Sequence, residues 1–472
     1  MDLKKILNIQ TKNITLAAFI LGAASFVSAV LGLLRDRLLA SHFGAGNELD
    51  AYYAAFRIPD FISMVLIMGA ISAAIIPVFN EYLVRSKKEA FEFLANLFNL
   101  FLFILIIVLI FLVIFAPQVI NIIAPGFSGS KKALTVLLTR IMFFSPILLG
   151  LSNIISSVLQ VFRRFLITSL TPIVYNLGII FGILFLAPRF GVQGLAWGVA
   201  LGAALHLGIQ LPFLFKVGFS WAKIFNFRHP GFLKVIKLAI PRAIGLAASQ
   251  INLIVVTAIG STLVPGSIAV LNLADNLSRP VVTLIAVSFF LASFPTLSLA
   301  FSKGNKEKFN QVFSSTFSKT LALVLPLSFL LFLLREIVVS IILKVGKFGV
   351  VDTRLTATCL GMFAFGLFAQ SLNLLLANAF YALQDTKTPA LTSVAGMTAN
   401  IIFCFLFVRI LSNPNSFQQF FLNLFNLQKI SHPEVIGLPL AISLSAIIQF
   451  IIIFFLFQRK KGAVFNGKKS QY

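Results

Sequence analysis

The sequence predicts an all-α polytopic membrane protein, with about twelve transmembrane helices in two six-helix lobes. Three observations lead there. The 472 residues have a mean hydropathy of +0.99. Apolar runs such as "FNLFLFILIIVLIFLVIFAP" and "IIQFIIIFFLF" recur from end to end. Basic residues gather in alternate loops between those runs.

Runs of about 20 apolar residues are long enough to cross the hydrocarbon core. There, every backbone polar group must be satisfied internally, so helices or a closed barrel are the only options. The runs are far longer than barrel strands and do not alternate with period two, which selects helices. The expected spans are 12–41, 51–83, 90–123, 132–161, 164–188, 190–217, 231–260, 266–301, 310–344, 353–383, 388–411 and 434–458. No long soluble segment separates them, so no nucleotide-binding domain fits.

The 38 Lys and Arg against 14 Asp and Glu give a net charge of +24. In a soluble chain this would suggest nucleic acid. Here the charge is spread over loops, and nucleic acid is not an expected partner. Lys4, Lys5 and Lys12 precede the first span, Arg85, Lys87 and Lys88 follow the second, and Arg163 and Arg164 follow the fourth. The outer loops "SHFGAGNEL" and "GSTLVPGS" carry no Lys or Arg. The positive-inside rule therefore places both termini in the cytoplasm. Lys131, Lys132, Lys347, Arg354 and Lys429 run against it. The first span resembles a signal-peptide core but is too long and runs into charged residues, so it is expected to stay as a helix. Cys359 and Cys404 lie in separate spans and are expected to be buried thiols, with no disulfide or metal.

The expected organisation is an N-terminal lobe over residues 1–217, a cytoplasmic interfacial linker over 218–233, a C-terminal lobe over 234–458 and a basic cytoplasmic tail over 459–472. The linker, "GFSWAKIFNFRHPGFL", sets Trp221, Phe225 and Phe227 among basic residues, which suits a helix lying in the interface. The halves show weak internal similarity. Asp50, Arg57 and Pro59 in the second span correspond to Asp275, Arg279 and Pro280 in the eighth. Interrupted helices in internal repeats are typical of transporters. The segment 412–433 reads equally as a short outer interfacial helix, from the spacing of Phe417, Phe420, Phe421 and Phe425, or as a loop.

The stretch from Val30 to Phe61 holds seven charged residues: Arg35, Asp36, Arg37, Glu48, Asp50, Arg57 and Asp60. Ionisable residues at membrane depth are costly and usually face a cavity or a partner. Ser25, Ser28, Gly32 and Arg35 share one helix face, as do Arg242, Gly245, Ser249 and Asn252. Asn272, Asp275, Asn276 and Arg279 share a third face, and Asp50 and Arg57 a fourth. Topology puts Arg35, Asp50, Arg57, Asp275 and Arg279 in the outer half to the middle of the membrane. A wall of mixed sign with several arginines suits an anionic phosphate or pyrophosphate. The same faces also suit plain helix packing, with Asp275–Arg279 and Asp50–Arg57 as internal pairs. No "GxxxxGK[ST]" loop, "HExxH" or Cys/His cluster occurs, and no enzyme activity is expected. No cofactor is expected; transport would draw on the membrane potential or an ion gradient. Asn252, Asn373, Asn378 and Asn400 are polar groups inside spans that suit either an ion site or helix-packing hydrogen bonds.

These residues resemble the MurJ (MviN) family of bacterial lipid II flippases, over essentially the whole chain. "LGLLRDRLLASHFGAG", "DAYYAAFRIPD", "APGF", "TRIMFFSPILL" and "FRRFLITSLTPIVYNLGII" carry the likeness in the first half. "PRAIGLAASQINLI", "ADNLSRPV", "GKF" and "FYALQDTKTP" follow in order in the second. The resemblance implies the fold of the multidrug/oligosaccharidyl-lipid/polysaccharide exporter superfamily (MOP, which includes the MATE transporters), with the first, second, seventh and eighth spans lining a cavity. It implies undecaprenyl-pyrophosphate-linked peptidoglycan precursor as substrate, moved from inner to outer leaflet by alternating access in the bacterial cytoplasmic membrane. Membrane lipids and cell-wall synthesis proteins are the other implied partners. The expected substrate-binding residues are Arg35, Asp36, Asp50, Arg57, Asp275, Asn276, Arg279, Ser28 and Arg242, of which Arg35, Asp36 and Asp50 match the family's cavity motif.

Three family arginines are replaced, by Ala29, Ser63 and Asn276, and the family's Glu-Gly in the second span is Met68-Gly69. Arg279 and Arg57 are spaced to replace part of what is missing. These departures keep two other readings open: a flippase of the same superfamily for another polyprenyl-linked glycan, and a transport-inactive cell-wall scaffold. "FYALQDTKTP" argues against a cation or drug exporter.

Overall fold

The computed structural model describes residues 14–65, 72–428, 430 and 432–467. Among them the secondary structure is helical, with no strand. Among the described residues, nine helices are long and apolar enough to cross a membrane. The remaining predicted spans, 12–41, 51–83 and 231–260, overlap helices Ile14–Phe43, Asn47–Phe61 with Ser72–Arg85, and Pro230–Ser261.

Close residue contacts group the chain into two units, one reaching Ile254 and the other running from Val255 and including Gly44–Gly46. The first contains α1 (Ile14–Phe43), α2 (Asn47–Phe61), α3 (Ser72–Arg85), α4 (Lys87–Ile114), α5 (Ala116–Ile123), α6 (Gly129–Met142), α7 (Phe144–Val161), α8 (Phe165–Phe181), α9 (Ala187–Phe190), α10 (Gln193–Gly208), α11 (Leu211–Lys216) and most of α12 (Pro230–Ser261). Caps and prolines set the breaks. The Ser86 hydroxyl accepts the Lys88 N–H at 3.2 Å and starts α4. Pro117 opens α5, where its missing N–H costs nothing. The core holds Phe79, Phe93, Leu94, Ile155 and Leu159, all fully buried, while Ile107, Ile110 and Phe111 on α4 stay exposed, as a lipid-facing surface requires. Small residues bring α8 against α10. A Cβ on Gly178 would lie 2.3 Å from Gly202 Cα, and one on Gly182 would lie 2.5 Å from Gly198 Cα. Gly194, Gly198 and Gly202 recur every fourth residue, so one face of α10 admits the neighbouring backbone.

The segment 218–229 is irregular, not the interfacial helix that its composition suggested. Two buried α4 side chains take its backbone groups instead. Asn96 donates to Asn226 O at 3.0 Å and accepts the Asn226 N–H at 2.7 Å. The Asn99 amide donates to Ala222 O at 2.8 Å and to Ile224 O at 3.0 Å. These side chains satisfy backbone groups that a helix would otherwise pair within itself. Trp221, Phe225 and Phe227 are half exposed, as expected of an interfacial segment.

The second unit contains α13 (Ser267–Val281), α14 (Val287–Ser302), α15 (Lys306–Leu333), α16 (Arg335–Leu343), α17 (Val350–Ala382), α18 (Lys387–Ser412), α19 (Ser416–Leu424) and α20 (Gly437–Gly467). α17 lies closest to α20: a Cβ on Gly366 would fall 2.6 Å from Ser443 Cα, and the Ser443 hydroxyl donates to Met362 O at 2.7 Å. Phe309, Phe313, Phe380 and Phe457 build the core beside them. The outer segment 412–433 does contain a short helix, α19, with Asn415 Oδ1 accepting the Gln418 N–H at 2.8 Å. Cys359 and Cys404 are buried free thiols, as expected.

Both units contain a helix widened by a π turn after a proline. In the first, 62–65 follow Pro59; in the second, Val282–Ala286 follow Pro280. A proline frees the carbonyl one turn before it, and a π turn is a common local adjustment to such a break. The acid–base–proline correspondence in the sequence therefore extends to the backbone.

Candidate functional site

Arg35 sits about two turns before the end of α1, half-buried. Its Nε and Nη2 donate to Asp36 Oδ1 at 3.0 and 2.9 Å, and its Nη1 donates to Asn176 Oδ1 at 3.2 Å. Three of the five N–H groups of the guanidinium are thus engaged. Asp36 is 3% exposed, so the arginine supplies the counter-charge that so buried a carboxylate needs. Asn176 holds the other side. Its Nδ2 donates to Ser28 Oγ at 3.2 Å and to Pro172 O at 3.1 Å. Ser28, Arg35 and Asp36 are therefore brought together, around a residue that the sequence reading did not select. The available signal was Pro172: it lies four residues before Asn176 in α8 and has no N–H to continue the ladder.

Asp50 lies elsewhere. It is almost fully buried in the first turn of α2, and its Oδ2 accepts Lys131 Nζ of α6 at 2.9 Å. Lys131 also stands over the Phe127 ring, 4.1 Å from its centroid. Spacing offered Asp50 the partner Arg57; the pair with Lys131 is a longer-range one. Lys131 was one of the basic residues that ran against the positive-inside rule, and its partner explains why its charge is tolerated there. Arg57 is half-buried and within electrostatic reach of Tyr53.

In the second unit, Arg279 Nη2 lies 2.7 Å from Asp275 Oδ2, an i,i+4 pair on α13. Asn276 follows Asp275 on the same helix. The Arg242 side chain, and Met68-Gly69, lie outside the described residues. Asn373 donates to Ala446 O at 2.9 Å, Asn378 to Phe290 O at 3.0 Å, and Asn400 accepts the Cys404 thiol at 3.6 Å. These are helix-to-helix or local bonds. Among the described residues, no group of three His, Cys, Asp or Glu could hold a metal ion.

A cavity of about 290 Å³ opens beside Arg35 within the first unit. Ser63, standing where the resemblance expects an arginine, is 6% exposed and lines it. His206 of α10 lines it too, held by a buried polar cluster. The Ser152 hydroxyl donates to His206 O at 2.9 Å and lies 2.7 Å from His206 Nδ1. Gln210 donates to the same hydroxyl oxygen and accepts from Ser156 at 2.7 Å. The cluster engages Nδ1 of the imidazole, and Nε2 stands outside its bonds.

Solved structures of membrane transporters share the chain's fold. An inward-facing multidrug resistance MATE family transporter of the MOP superfamily matches the chain's fold with a TM-score of 0.74 at 14% identity, over 94% of this chain and 96% of that one. A lipid II flippase MurJ in an inward closed conformation matches with a TM-score of 0.78 at 26% identity, over 93% of this chain and 87% of that one. The family described as Lipid II flippase MurJ matches residues 39–471. A probable lipid II flippase MurJ of Buchnera aphidicola subsp. Acyrthosiphon pisum (strain APS) is 32% identical over 381 residues, 80% of this chain and 75% of that protein. The chain belongs to the MurJ family of lipid II flippases.

Proposed function

We propose that the protein moves lipid II, undecaprenyl pyrophosphate bearing the peptidoglycan disaccharide-pentapeptide, from the inner to the outer leaflet of the bacterial cytoplasmic membrane by alternating access. Both termini lie in the cytoplasm. Transport makes and breaks no covalent bond and draws on the membrane potential or an ion gradient. Membrane lipids and cell-wall synthesis proteins are its surroundings and partners.

Arg35 carries this proposal. Its side chain is 24% exposed and keeps two N–H groups beyond those taken by Asp36 and Asn176. Two parallel donors on a planar, permanently charged group match a phosphate oxyanion pair. Asp36 and Asn176 hold that fork in place before the substrate arrives, which lowers the ordering cost of binding.

The test is complementation. The chain is expressed in a bacterium depleted of its own lipid II flippase, and lipid II exposed on the outer face is measured. Rescue is expected. Good membrane insertion without rescue would sink the proposal. Ser63, buried in place of a family arginine, favours as second reading a flippase for another polyprenyl-linked glycan. Rescue of a strain lacking such a flippase, but not of the lipid II strain, would select it.

A further inference from the structure

We infer that the cavity inside the first unit is a glycan subsite that takes one pyranose ring of the substrate headgroup; this rests on the reading that Arg35 grips the adjoining pyrophosphate. At about 290 Å³ the cavity is at the small end of ligand pockets, suited to one ring rather than a disaccharide. Its lining alternates in character. Asp60, Ser63, Asn153, Tyr175 and His206 supply polar atoms, while Phe56 contributes an aromatic wall. Sugars present this combination: hydroxyls that donate and accept around the edge, and apolar C–H faces above and below.

Two polar atoms are held in place before any ligand enters. The Ser152–Gln210 cluster engages His206 through Nδ1 and leaves Nε2 outside its bonds. Asn153 spends its Nδ2 on Leu149 O at 2.8 Å, and Oδ1 remains to accept. No bond among the described residues takes either atom. The edge-on contact of Tyr175 with the imidazole, 6.4 Å between centroids at 89°, keeps the His206 ring from turning. An anion is the poorer fit. The guanidinium at the cavity margin, Arg35, is taken by the adjoining pyrophosphate, and Asp60 adds a carboxylate to the lining. A sugar joined directly to a pyrophosphate held at Arg35 would lie next to the opening.

Binding of two lipids by the purified protein tests this: lipid II, and undecaprenyl pyrophosphate without sugar. The wild type is expected to prefer lipid II by about tenfold, the worth of one or two hydrogen bonds. Asn153→Leu removes the acceptor at similar size, and Ser63→Leu fills part of the cavity. Either should erase the preference while leaving affinity for undecaprenyl pyrophosphate unchanged. Equal wild-type affinity for the two lipids overturns this inference alone. Binding of neither overturns it together with the proposed function. A preference that survives both substitutions also overturns it.

Discussion

Lys131 Nζ lies 2.9 Å from Asp50 Oδ2, although 81 residues separate them in the chain. The pair joins the first turn of α6 to the first turn of α2, with the carboxylate almost wholly out of solvent. Removing one member of such a pair strands a buried charge.

Lys131→Ala should therefore destabilise the protein by about 3 kcal/mol, and Asp50→Ala by a similar amount. The double variant Asp50→Asn, Lys131→Met should recover most of that loss, because neither charge is left alone. Thermal unfolding in detergent reads all three. Additive losses in the double variant would show that the two groups are not coupled.

Arg35→Ala should abolish lipid II flipping while insertion and expression persist. Arg35→Lys should fail as well, since an ammonium cannot hold Asp36 and Asn176 and still present two parallel donors. Flipping assayed in cells, with membrane content measured beside it, decides the matter. Normal activity in Arg35→Ala would remove the charged site.

Asn176 acts through Arg35. Asn176→Leu should weaken lipid II binding about tenfold, the cost of one charge-assisted hydrogen bond. Asn176→Gln should restore part of it by offering the same amide from one carbon further. Equal loss in both variants, with lowered thermal stability, would mean that the residue only supports the helix contact with Ser28.

Asp385 links stability to pH. It accepts the Lys387 and Thr388 N–H groups at 3.0 Å each, capping α18, and Lys460 pairs with it across the unit. Burial pushes this carboxyl up, but Lys460 and Thr388 outweigh burial and hold it down at about 2, against an ordinary value of 3.8. The unfolded chain thus binds its proton first as pH falls. The contribution is fully present above about pH 4 and is lost progressively toward pH 2. Asp385→Asn should lower stability at pH 7 by about 2 kcal/mol and flatten the melting-temperature profile between pH 4 and 2. An unchanged profile would show that another group governs acid unfolding.

The linker offers a proteolytic readout. Asn99→Leu removes the side-chain donor of both Ala222 O, which keeps the Ile224 N–H, and Ile224 O. Trypsin should then cut at Lys223 and Arg228 about tenfold faster, because local opening becomes easier by roughly one hydrogen-bond pair. An unchanged cutting rate would show that the clamp does not limit opening.

The helices were legible because each apolar run is long and carries its own signal, and the lipid constraint leaves little else to form. Arg35, Asp36 and Ser28 were legible as one helix face. Asn176 and Lys131 were not, because hydrogen bonds and ion pairs across 81 to 148 residues leave no periodicity to read. The linker misled for a different reason. Its aromatics and cations describe where it lies but not its backbone, which two asparagines on α4 decide. The cavity beside His206 was invisible, since residues from five helices must converge to make it.

The two π turns after Pro59 and Pro280 have a consequence for heredity. Each is a helix carrying one residue more than its turns require, and one residue is worth about 100° of rotation. Everything downstream on that helix faces a direction set by the surplus residue. Deleting any residue of Val282–Ala286 would close the turn into an ordinary helix and swing Ser293, now buried beside Asn378, toward lipid. A substitution in these turns can be repaired by its neighbours; a single-codon deletion cannot. The turns should thus tolerate changes in identity while admitting none in length.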